Sequence, residues 1–71
     1  MIFEGAKVQF TPAHHKWAKE GQPNSPVVTA RISKVNWQNR VFFAEYKCGD
    51  SIQTEAFQFF DIGKSVKFLG R

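Results

Sequence analysis

Few side chains in this sequence are equipped for chemistry. His14 and His15 are adjacent and are followed by Lys16 and Trp17. Imidazole ligates zinc, but a structural or catalytic zinc site needs three or four protein ligands. No third ligand lies at zinc spacing, and two adjacent side chains do not easily reach one ion. Cys48 is remote and is the only cysteine. No metal site and no other cofactor is therefore expected. Cys48 itself reads as a small hydrophobe at a strand end, since nothing near it in sequence would stabilise a thiolate. The chain has no glycine-rich phosphate loop, no paired-carboxylate spacing and no nucleophile elbow. The expectation is a binding protein, not an enzyme.

Binding chemistry has better candidates. Trp37 lies in a tight turn, with Arg40 beside it. Arg31 and Phe43 fall on the outward side of the flanking strands. If Phe43 is exposed, these four form an aromatic and basic patch of the kind that stacks bases and holds phosphates. Three plainer readings stand beside that one. Trp37 folds back over the end of the domain, Phe43 is covered by a loop, and Arg40 is a solvated turn residue. Lys16 and Trp17 belong either to the same binding surface or to a polar loop pinned by its Trp. The expected site is thus Trp37, Arg40, Arg31, Phe43, Lys16 and Trp17, with DNA or RNA as the partner. The alternative is a protein partner in an assembly subunit, encoded by a phage or a mobile element. Trp17, Trp37 and Phe43 would then be protein anchors, and a sheet edge would accept a partner strand.

The elements that must position these residues follow from alternation. Ile2 to Phe10 alternates with Val8 and Phe10 inward and Lys7 and Gln9 outward. Residues 11–26 contain three Pro with Gly, Asn and Ser, and read as a long loop. Ala13 to Glu20 is compatible with a short helical turn inside it. Val27 to Val35 is a strand with Val28, Ala30 and Ile32 on one face, and Arg31, Ser33 and Val35 outward. Asn36 to Asn39 is a turn, and Val41 to Lys47 returns with Phe42, Ala44 and Tyr46 on one face. Those two strands should pair as an antiparallel hairpin. Cys48 to Ser51 is the next turn. Ile52 to Phe57 is a strand with Ile52, Thr54 and Ala56 sharing a face. Phe57 to Gly63 breaks the alternation and reads as one helical turn, of 3-10 type, ended by Gly63. Lys64 to Leu69 is the last strand.

Composition sets the bounds. The chain has 71 residues, 42% hydrophobic and 15% aromatic, with eight Phe. That aromatic content belongs to a folded chain. A lone Leu, Leu69, argues against a helical bundle. One domain over residues 1–71 is expected, burying only roughly 60% of the surface of its unfolded chain. A single cysteine allows no internal disulfide and points to a reducing compartment such as the cytoplasm. The N-terminal residues have no signal-peptide pattern, and no apolar run is long enough to span a membrane. Ten Lys and Arg against six Asp and Glu give a net charge of +4, which favours anionic partners. Acids are interspersed among the lysines along the chain, which reads as a mixed solvated surface.

The element order of strand, long loop, three strands with short turns, helical turn and final strand resembles the SH3-like small barrels. Residues 11–26 stand where that class has its first long loop, and Phe57 to Gly63 where it has the helical turn before the last strand. The resemblance implies an all-β, five-stranded barrel with closed edges. The acidic aromatic stretch and paired Trp of the eukaryotic signalling SH3 domains are missing, so proline-peptide binding is not implied. Barrels of this shape bind DNA, RNA or protein in different cases, and the class alone decides nothing about function.

Overall fold

A computed structural model describes residues 2–12 and 27–71. The expected helical turn at Ala13 to Glu20, and with it His14, His15, Lys16 and Trp17, lies outside the described residues.

The fold is all-β. Five strands run in chain order: β1 Lys7–Phe10, β2 Val28–Asn36, β3 Val41–Cys48, β4 Ser51–Gln58 and β5 Lys67–Gly70. A 3-10 turn, Phe59–Asp61, precedes β5. All ladders are antiparallel, and the sheet order is β4-β3-β2-β1-β5. β4 and β5 are the two ends of that order, and no ladder joins them among the described residues.

Turn chemistry sets the registers. Cys48 pairs with Ser51 across a two-residue loop, and Gly49 supplies the positive φ of 64° that such a tight loop needs at its first position. The 37–40 turn is held by the Asn36 side-chain oxygen, which accepts from the Asn39 backbone N–H at 3.0 Å. The alternation over Ile2 to Phe10 yields a shorter strand than expected. Gly5 takes a φ of 92°, so the pleat begins only after it, at Lys7. The Gly5 N–H donates to the Ile32 carbonyl at 2.8 Å, which docks this turn on β2.

A second departure concerns Val35, which alternation places outward. The β2–β3 register shifts between Ile32 and Lys34, so that Lys34 pairs with Phe43 and Val35 with Phe42. An extra residue in one strand flips every side chain beyond it. Val35 therefore turns inward and packs on the core, and Lys34 turns outward. The Ser33 hydroxyl donates to the Phe43 carbonyl at 3.4 Å beside this bulge.

The core consists of Ala6, Val8, Phe10, Ala30, Ile32, Phe42, Ala44, Tyr46 and Val66. Aromatic edges and faces fill the space that Leu would take elsewhere. Phe42 lies 5.6 Å from Phe57 and 6.5 Å from Phe59, and Phe10 lies 4.7 Å from Phe57 and 5.5 Å from Tyr46. Such ring pairs contribute beyond their buried area. Cys48 continues this inward face, as expected, but is half-buried against the core and not fully buried.

Tyr46 carries the polar group nearest the core. Its hydroxyl donates to Glu55 Oε2 at 3.1 Å across β3 and β4. Its pKa is raised from 10.0 to about 12, first by burial, then by the hydrogen bond and negative charge of Glu55, with Cys48 adding to the effect. An unfolded Tyr loses its proton near pH 10. The folded one keeps it to about pH 12. In that window the unfolded state binds fewer protons, so stability falls as pH rises. Below it Tyr46 adds no pH dependence. Urea midpoints taken through the window should fall more steeply for the native chain than for Tyr46→Phe, whose curve keeps only the slope set by the lysines.

Candidate functional site

The outward side of the sheet gathers charge that is dispersed in the sequence. Lys7 pairs with Arg31, Arg31 with Glu45, and Glu45 with Thr54, forming one row across four strands. A second row runs Lys34, Phe43, Ala56. On the flanks, Lys47 stands opposite Ile52, and Lys67 opposite Gln9. Lys7, Arg31, Lys34, Lys47 and Lys67 are all exposed. Among the described strand residues, Glu45 is the one acid on this side. Glu55 points inward to Tyr46, while Glu4 and Asp50 sit in turns. A shallow groove of about 540 Å³ opens here, with Lys7, Thr29, Arg31, Glu45, Lys47 and Ile52 among its lining residues.

Arg31 and Phe43 are thus on one face, as expected from alternation. Phe43 is half-buried, between the covered and exposed alternatives. Its row neighbours are the Lys34 stem and the small Ala56, so part of its ring stays open.

Trp37 and Arg40 occupy the tip of the β2–β3 hairpin. Trp37 is 55% exposed, yet its ring meets Phe59 edge-on at 5.3 Å. It leans on the 3-10 turn with one side and offers the other to solvent. The Phe59 N–H donates to the Arg40 carbonyl at 2.9 Å, which fastens the two turns together. A cavity of about 610 Å³ lies between them, lined by Asn39, Arg40, Gln58, Phe59 and Phe60. The Gln58 N–H donates to Asp61 Oδ2 at 2.9 Å and so holds the start of the 3-10 turn.

Phe60, Lys64, Lys7, Lys34 and Lys47 belong to these surfaces and were not among the expected site residues. Phe60 is 62% exposed, with the Lys64 ammonium 5.4 Å from its ring centre. The sequence signals part of this: Phe57, Phe59 and Phe60 fall within four residues where the alternation breaks, and all three cannot face inward, while packing on Phe42 decides which ring stays outside. For Lys34 no signal existed, because the bulge that turns it outward is a property of the β2–β3 pairing. Trp37 and Arg40 form a tip region distinct from the rows that carry Arg31 and Phe43.

No group of three or more His, Cys, Asp or Glu that could hold a metal occurs among the described residues. No helix among them is long and apolar enough to cross a membrane. Comparison with protein-family models, characterised proteins and solved structures gave no significant match for this chain.

Arg40 holds a φ of 58°, the one positive value among the described non-glycine residues. A side chain there costs of order 1 kcal/mol in backbone strain. Arg40→Gly should relieve part of it and raise the urea midpoint, or at least leave it unchanged, while deleting the guanidinium from the tip.

Proposed function

We propose that this protein is a nucleic-acid-binding module that holds backbone phosphates on its outward basic face and stacks bases at the hairpin tip. One observation carries this reading: among the described strand residues, Lys7, Arg31, Lys34, Lys47 and Lys67 share a face with a single carboxylate, Glu45. A cationic surface attracts the phosphate backbone by releasing condensed counterions. Phe43 on that face, and Trp37 and Phe60 at the tip, provide ring surfaces on which any base can stack. Arg40 and Lys64 lie beside those rings, where phosphates flanking a stacked base would fall. The sheet order and the 3-10 turn before β5 also support a partly open SH3-like barrel as the architecture, with β4 and β5 at its two edges. The lone Cys48 suits an intracellular site of action.

Fluorescence anisotropy against single-stranded DNA, single-stranded RNA and duplex DNA tests the proposal. Affinity should fall steeply between low and moderate salt. Arg31→Glu and Lys34→Glu should each weaken binding to all three probes and make the salt dependence shallower by about one phosphate contact. Trp37→Ala with Phe60→Ala should weaken the single strands by roughly 1–3 kcal/mol per stacked base and leave the duplex nearly unaffected. Absence of binding to every probe at low salt would overturn the reading.

A further inference from the structure

Among the described residues, β4 ends the sheet, with β3 as its hydrogen-bonded neighbour. Natural sheets protect such an edge with Lys, Pro, a bulge or a very short strand. β4 shows none of these. It is eight residues long, and its pairing with β3 runs from Ser51 to Gln58 without a register shift. Its sequence, SIQTEAFQ, holds one charge, Glu55, whose carboxylate turns inward to Tyr46. The outward residues Ile52, Thr54 and Ala56 are uncharged and exposed, Ile52 at 59%.

The register says which way the backbone faces. Antiparallel pairs alternate between hydrogen-bonded and non-bonded, and the pair that closes a two-residue loop is bonded. Cys48–Ser51 closes that loop, so Ser51, Gln53, Glu55 and Phe57 bond to β3. Ile52, Thr54 and Ala56 then direct their N–H and C=O groups toward the open edge.

We infer that this edge pairs with β4 of a second copy of the chain, antiparallel, about a two-fold axis at Thr54. The sequence is self-complementary in that register. Thr54 faces Thr54 of the second copy, Ile52 faces its Ala56, and Gln53 faces its Glu55. No like charges stand opposite one another. An axis at Glu55 would instead set two carboxylates face to face, which is destabilising. The Thr54 register also extends an existing row. Phe43 already stands opposite Ala56, and Ile52 of the second copy would come next beyond the small Ala56. The half-open Phe43 and the exposed Ile52 would then cover each other. A closed two-fold contact of this kind uses one patch twice and ends the exposed edge. The two basic faces would lie side by side on one continuous sheet. The inference does not depend on nucleic-acid binding, since it rests on backbone direction and strand sequence.

Sedimentation equilibrium of the intact chain tests it. The expected mass is twice the 8.2 kDa of one chain. Thr54→Lys sets two ammonium groups opposite each other, and Thr54→Pro removes an outward N–H that β3 does not use. Both variants should sediment as monomers while their circular dichroism remains that of the native sheet. Ile52→Lys should weaken the dimer further from the axis, and Lys67→Glu, on the opposite end of the sheet, should leave it intact. A native chain that stays monomeric up to about 1 mM overturns the inference and assigns the edge to a different strand or to none. A dimer unaffected by Thr54→Lys and Ile52→Lys overturns it equally, because its interface lies elsewhere.

Discussion

The position of Phe42 is the constraint on which the rest of the structure depends. Its ring is fully buried, with Phe57 and Phe59 packed against it. These contacts join β3, the end of β4 and the 3-10 turn into one unit. A chain this short has few large side chains to spend on a core, and with one Leu it relies on Phe. Phe59, held on Phe42, in turn presents its ring to Trp37 and its N–H to Arg40. The geometry of the hairpin tip is therefore inherited from the core. Any binding by Trp37 or Phe60 draws on a platform fixed by buried rings and not by the exposed turn alone.

The bulge in β2 is the second determinant. Without it, Val35 would face solvent and Lys34 would face the core. With it, an apolar side chain enters the core and a cation joins Arg31, Lys7 and Lys47 outside. One inserted residue thus improves the packing and concentrates positive charge on the outer face. The inward turn of Glu55 acts in the same direction. Its hydrogen bond from Tyr46 keeps a carboxylate off the basic side, and it also leaves the outward residues of β4 without charge. The same arrangement that leaves one carboxylate among the described strand residues of the outer face leaves the outward residues of β4 uncharged.

The sequence alone determined the all-β class, the strand order along the chain, the helical turn before the last strand and most of the inward face. Val8, Phe10, Ala30, Ile32, Phe42, Ala44 and Tyr46 all lie inside, because period-two alternation is a local property of an extended chain. It also placed Arg31 and Phe43 outward on one sheet face and Trp37 with Arg40 in one turn. Three things were decided only by tertiary structure. The bulge moved Val35 and Lys34, because register depends on the pairing of two strands. Phe60 and Lys64 came to the tip because Phe42 claims Phe57 and Phe59 and leaves the third ring outside. The cations gathered on one face because cross-strand neighbours lie far apart in sequence, and no reading along a single strand brings Lys7 to Arg31.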